Sequence, residues 1–234
     1  MLWSQVSHDV VLRGATHNSM APTPEYLDHV FLPVLRSIGA NVSFKAEALG
    51  IYPDGGGRVR VAVHQAGRLG KLELSQRGTL EEVVVGSVGT SRSQLDVMER
   101  VLRFVQTLGQ CHRVLRRQVV GGSSTNSTVY AKFRNSLGSD MFTAFCGDDS
   151  ADTGGGEHVV AEMQRYIASG APVGPELADQ LLLYMALRPP SRVVMSEVTD
   201  HLRTAVPVIE AFLPVRVSLT PRSRGDVVLE VVCR

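Results

Sequence analysis

The chain has 234 residues, 44% of them hydrophobic and 20% charged, with a formal net charge of +1 at pH 7. That balance excludes an intrinsically disordered chain, and the near-neutral total excludes a globally basic nucleic-acid binder while leaving a local anion site open. Three cysteines, Cys111, Cys146 and Cys233, stand far apart in neither a disulfide framework nor a metal-ligand spacing, and no segment reads as a secretory signal or a long apolar span, so a soluble intracellular protein is expected.

In chain order, "HDVVLRGATHN" opens as a short apolar strand followed by a polar turn. "APTPEYLDHVFLPVLRSIG" reads as a helix, with Pro24 in its first turn, Tyr26, Val30, Leu35 and Ile38 near one face and Gly39 as the stop. "NVSFKAEAL", "GIYPDGGG" and "RVRVAVHQA" predict a strand, a glycine turn and a second strand. "LEEVVVGSVG" is strand-like. "SQLDVMERVLRFVQTLG" is an amphipathic helix with Leu95, Met98, Val101, Leu102 and Val105 at helical spacing. Strands are expected in "CHRVLRRQVV", "STVYAKFRN" and "DMFTAFCG", then a mobile loop at "DDSADTGGG". "EHVVAEMQRYIASG" and "PELADQLLLYMAL" are helices, "SRVVMSEV" a strand, "DHLRTAVPVIEAFL" a helix carrying Pro207, and "VRVSLTP" and "DVVLEVV" the final strands. The pattern predicts an α/β or α+β sandwich with helices on one sheet face, and α+β is the class expected here.

Four places carry candidate chemistry. The consecutive glycines Gly55, Gly56 and Gly57 let backbone N–H groups approach an anion, although a hairpin turn needs glycines equally. Arg13, Thr16, His17 and Asn18 crowd a strand-to-helix junction, where an anion contact and a simple capping loop compete. Asp179 and Gln180 interrupt an apolar helix; a carboxylate there is either solvent-facing or held by a partner or cation. His201 follows Asp200 at a helix start, as a nucleophile or as an ordinary exposed histidine. No histidine–cysteine metal site is expected.

Taken together these segments resemble the RNA 3′-terminal phosphate cyclase family. "LRGATHNSMAPTPEYLDHVFLPVLRSIG" is similar to that family's segment of glycines, Thr-His-Asn, a proline, an acidic residue with tyrosine and a closing glycine. "GIYPDGGG" is similar to its glycine–proline–triple-glycine signature, and "LADQLLLYMAL" with a histidine 22 residues after Asp179 is similar to its C-terminal catalytic layout. The resemblance implies repeated βαβαββ units, each with two helices on a four-stranded sheet, plus a smaller α/β insert. The expected division is 1–77 and 158–234 for the cyclase-type domain and 78–157 for the insert. It implies ATP with Mg2+ or Mn2+, an RNA with a 3′-phosphate end as substrate, and no membrane. His201 matches the nucleophile that becomes covalently linked to AMP, Asp179 a metal position, and Gln180, Pro22 and Tyr26 nucleotide contacts, the tyrosine as a stacking face. Arg13, Thr16, His17, Asn18, Gly55, Gly56 and Gly57 remain candidates for a phosphate or RNA contact on their own chemistry.

The sequence departs from the family pattern at four points. Glu176 replaces an aromatic, Leu49 a basic residue, Ala15 a glycine, and "GDDSADTGGGE" a more basic stretch. The family also carries a further upstream repeat before the point equivalent to Leu12, so an N-terminally shortened member is expected. The alternative is a non-catalytic cyclase-like protein of RNA processing or ribosome assembly. A nuclear address is expected for a eukaryotic member and a cytoplasmic one for a bacterial member.

Overall fold

A computed structural model of the protein describes residues 6–64, 68–89, 91, 93–109, 112–117, 125–147 and 155–234. Strand β1 (His8–Gly14) leads to a helical run of three parts: α1 (Pro24–Tyr26), a π-helical turn (Leu27–Phe31) and α2 (Leu32–Ser37). The run begins where Thr23 caps it and ends at Gly39, which takes φ +100°. Its middle differs from a regular α-helix because Pro33 has no N–H to donate to the preceding turn. The Leu32 N–H reaches Leu27 O, five residues back. The expected buried stripe of Tyr26, Val30 and Leu35 survives that widening, with Ile38 partly buried against it.

Strands β2 (Val42–Ala48) and β3 (Gly57–Val63) pair antiparallel, and β1 joins the far side of β3. The three-stranded order is β1-β3-β2. A two-residue strand β4 (Glu73–Leu74) escapes sequence periodicity because two residues cannot display one.

Next come β5 (Leu80–Gly89), α3 (Ser93–Thr107), β6 (His112–Arg117), β7 (Ser127–Asn135), β8 (Gly138–Cys146) and α4 (Gly155–Ser169). Their sheet runs β6-β5-β7-β8. One face, including Val83, Val85, Phe133 and Phe142, packs against α3 and α4. The opposite face contributes Tyr130 and Met141 to a different core, the one that holds α1, α2 and the C-terminal elements. On α3 the buried residues are Val97, Met98, Val101 and Val105, whereas Leu95 is 53% exposed. The expected stripe is thus rotated at its first turn. The expected loop at "DDSADTGGG" and Cys111 lie outside the described residues, apart from the start of α4.

The chain closes with α5 (Pro175–Leu187), β9 (Ser191–Met195), α6 (Asp200–Phe212), β10 (Val215–Pro221) and β11 (Val227–Cys233). The four-stranded order is β10-β11-β9-β4, with β4 parallel to β9 and the other pairs antiparallel. Helix α5 is buried on several sides through Leu177, Ala178, Leu181, Leu182 and Met185, and Tyr184 meets Phe31 edge-to-face at 5.7 Å. The fold is mixed α/β, with helices packed on multi-stranded sheets. Among the described residues, no helix is long and apolar enough to cross a membrane.

Candidate functional site

Helix α6 starts where the sequence supplies a cap. Thr199 is extended (ψ 163°), and its Oγ1 accepts the Leu202 N–H at 2.9 Å. The same hydroxyl donates to Asp179 Oδ1 at 2.6 Å. One threonine therefore ties the second turn of α5 to the first turn of α6. His201 stands exposed two residues further on, and no hydrogen bond engages its ring among the described residues. Desolvation raises the Asp179 pKa, against which the Thr199 hydrogen bond and the His201 imidazole pull it down. Gln180 is half-buried beside Asp179.

A second set of groups surrounds Tyr26. Its ring belongs to the core and the residue is only 3% exposed, so the stacking face expected of it is packed against protein. Its hydroxyl is buried with no hydrogen-bond partner among the described residues. Burial pushes the phenol pKa well up, and the fields of Asp140, Glu176 and Asp179 push it the same way. Asp140, on β8, is fully buried and accepts the N–H groups of Met141 and Gly174. Burial lifts its carboxyl to about 7 despite those two bonds.

Gly174 is the N-cap residue of α5 and offers no side chain, so Asp140 supplies the cap from another element. A Cβ at Gly174 would lie 2.5 Å from Asp140 Oδ2, and only glycine admits the carboxylate. Glu176 is open to solvent on one side and crowded by protein on the other. That desolvation, reinforced by Glu162, Asp140 and Asp179, lifts its carboxyl to about 7.

The junction after β1 forms a third set. Thr16 Oγ1 donates to Gly50 O and accepts the Gly50 N–H, each at 3.0 Å, and the Thr16 and His17 N–H groups also reach Gly50 O. His17 has no exposed surface. Its Nδ1 lies 2.9 Å from Thr16 Oγ1 and its Nε2 3.0 Å from Glu25 Oε2. With both nitrogens engaged inside the protein, His17 pins this loop to α1. Asn18 folds locally, its Oδ1 accepting the Met20 N–H. Arg13 and Pro22 are exposed.

Gly55 and Gly56 take φ +74° and +80°, and the Gly55 N–H is spent on Ile51 O. A Cβ at Gly57 would sit 2.5 Å from Thr16 Cγ2, so the glycine run also serves close backbone packing.

The structure thus joins Asp179, Thr199 and His201 at one helix start, and Thr16, His17 and the glycine turn at another place. The neighbours Glu25 and Tyr26 link the two sets, the first touching His17 and the second feeling Asp179. No hydrogen bond or ion pair among the described residues joins Pro22 or Gln180 to His201. Sequence reasoning passed over Asp140 and Glu25. Their signals were an aspartate opening an apolar strand and a glutamate directly after Pro24, each needing a distant partner.

Among the described residues, no group of three or more His, Cys, Asp or Glu side chains could hold a metal. A metal caged by protein alone does not fit. A single carboxylate with Oδ1 committed and Oδ2 left over does fit a divalent ion that takes its other ligands from phosphates and water.

A family model described as RNA 3′-terminal phosphate cyclase matches residues 1–219 of this chain. The RNA 3′-terminal phosphate cyclase of Salmonella typhimurium is 30% identical, over 97% of this chain and 67% of its own length. That of Ralstonia nicotianae is 31% identical over 97% and 66%, and that of Pseudomonas fluorescens 31% identical over 96% and 65%. The chain spans about two thirds of the length of these relatives.

Proposed function

The chain belongs to the RNA 3′-terminal phosphate cyclase family, and from that premise we propose that it converts an RNA 3′-terminal phosphate to a 2′,3′-cyclic phosphate, with ATP as activating substrate and His201 as nucleophile. A ring nitrogen of His201 attacks the α-phosphorus of ATP. The P–N bond forms as the bond to the bridging oxygen breaks, and pyrophosphate leaves. An oxygen of the RNA 3′-phosphate then displaces the histidine, leaving AMP on the RNA end. The neighbouring 2′-hydroxyl attacks that RNA phosphorus, AMP departs, and the hydroxyl proton passes to water. This closure is intramolecular, so the hydroxyl acts at high effective concentration.

The observation that carries the reading is the Thr199 hydroxyl, which holds Asp179 at 2.6 Å while capping the helix on which His201 stands. Asp179 Oδ2 is the atom that would hold Mg2+ or Mn2+, whose charge would offset that of the triphosphate. Gln180 and Pro22 would contact the nucleotide. Tyr26 would contribute its buried hydroxyl rather than an open ring face. The elements β4, α5, β9, α6, β10 and β11 would form one complete βαβαββ unit, with the β5–α4 segment inserted after β4.

A second reading, a non-catalytic cyclase-like protein, is favoured by Glu176, whose carboxylate adds negative charge close to Asp179. Incubation with α-labelled ATP and magnesium decides between them. Acid-labile label on the parent and none on His201→Ala supports catalysis, whereas a folded parent without label supports the scaffold.

A further inference from the structure

The outer face of the three-stranded sheet breaks a local rule twice. Residues directly opposite across an antiparallel pair share a face, and like charges placed there are destabilising. Arg13 on β1 lies directly opposite Arg58 on β3, and Lys45 on β2 directly opposite Arg60 on β3. Two alternate positions of β3 therefore put four cations on one side of a sheet whose other side carries Val42, Val61 and Val63 into the core.

Two carboxylates share that face and answer only part of the charge. Glu47, in the bulge between Ala46 and Ala48, lies 2.7 Å from Arg58 Nε, without the alignment of a hydrogen bond, and 2.9 Å from Arg60 Nε. Asp9 lies 2.7 Å from Arg60 Nη1. Arg13 and Lys45 are exposed and form no ion pair among the described residues. Four cations against two carboxylates leave the face at net +2, which is more than the whole chain carries.

The patch also has a direction. Gly14 pairs with Gly57, so the Arg13–Arg58 row abuts the Gly55–Gly57 turn and the Thr16 loop, and the Arg60–Lys45 row lies two residues further along β3. At about 3.3 Å per residue along a strand and about 4.8 Å between strands, Arg13 and Lys45, on opposite sides of β3, stand roughly 12 Å apart, about two phosphate spacings along an extended strand. No aromatic ring shares these rows, so the face suits phosphates rather than stacked bases.

We propose that this outer face is a phosphate track for single-stranded RNA, with Arg13 and Lys45 each taking a backbone phosphate upstream of the 3′ end. Local charge conflict of this kind is expected where an anion completes the surface. The inference rests on the cyclase reading only for the identity of the polyanion.

The test uses the full chain and its Lys45→Gln variant, since Lys45 lies outside the candidate site, with 5′-fluorescent single-stranded RNAs ending in a 3′-phosphate. One RNA is long enough to lie along the sheet and the other is a dinucleotide. Anisotropy titrations at several salt concentrations give affinity and its salt slope. Loss of one phosphate contact lowers the slope magnitude by about 0.7, the value per phosphate on a single strand. At low salt the long RNA binds roughly threefold more weakly to the variant, in line with a loss of about 0.7 kcal/mol, while dinucleotide binding and labelling by α-labelled ATP stay at parent levels.

A Lys45→Arg variant, which keeps the charge, binds the long RNA like the parent, and Lys45→Ala, which removes the charge as glutamine does, carries the test should the glutamine variant fail to fold. Unchanged long-RNA affinity, an unchanged salt slope, equal loss for both lengths, or a parent that does not bind the long RNA overturns the track. A parent that takes no label from ATP yet shows the length-dependent loss refutes the cyclase reading and leaves the track standing.

Discussion

Replacing Thr199 by alanine removes two bonds made by one oxygen. The first is the N-cap bond to Leu202 N, for which capping losses are typically about 1 kcal/mol. The second is the donation to Asp179 Oδ1. A hydrogen bond to a charged group contributes about 1.5–3 kcal/mol when buried, and the half-exposure of Asp179 discounts that to about 1 kcal/mol. The combined loss is about 2 kcal/mol, or a fall of roughly 4–8 °C in Tm for a chain of this size. Serine keeps the oxygen, so Thr199→Ser should recover most of it. Thermal unfolding followed by circular dichroism, with labelling by α-labelled ATP on the folded samples, reads both consequences. The label should fall further than stability alone explains, because Asp179 loses the bond that opposes its raised pKa. A Thr199→Ala protein within about 0.5 kcal/mol of the parent, or a serine variant no better than alanine, would refute the reasoning.

Gly174→Ala should destabilise by about 1–3 kcal/mol, since its Cβ would overlap the Asp140 carboxylate; chemical denaturation of variant and parent checks this. Asp140 has a folded pKa of about 7 against an ordinary 3.8, so the folded state binds the proton more tightly than the unfolded chain. Its contribution is therefore most favourable below pH 4 and is lost as pH rises from about 4 to 7, with a slope of up to about 1.4 kcal/mol per pH unit. Asp140→Asn keeps an acceptor for Gly174 N–H and should flatten that part of the stability–pH curve; an unchanged slope contradicts the assignment. His17→Gln should weaken the clasp between the Thr16 loop and α1 and lower stability by about 1–3 kcal/mol, measured by urea titration, as expected when a buried polar partner is lost.

Much of the fold was legible because its signals are local. Pro24 and Gly39 bracket the first helical run, "GIYPDGGG" separates β2 from β3, and the β7 and β8 strands follow their β-branched and aromatic content. The misses have physical causes. Pro33 widens the helix in the turn before it, an effect that composition flags without giving its geometry. Leu95 faces water because α3 turns its first turn toward Val97, a choice made by the sheet beneath it. In the candidate site, the spacing of Asp179 and His201 was visible, but the Thr199 oxygen that unites them depends on how α5 lies against α6. The contact of His17 with Glu25, eight residues away, and its burial belong to the tertiary structure and leave no local signal.

The proposed chemistry stands or falls on the atom that receives AMP. Peptide mapping of the parent chain after incubation with ATP and magnesium should recover AMP on the peptide that contains His201, through a bond that is labile in acid and stable in base, as a phosphoramidate is. Recovery of AMP on another residue, or of none from protein whose circular dichroism shows it folded, would contradict the assignment of His201.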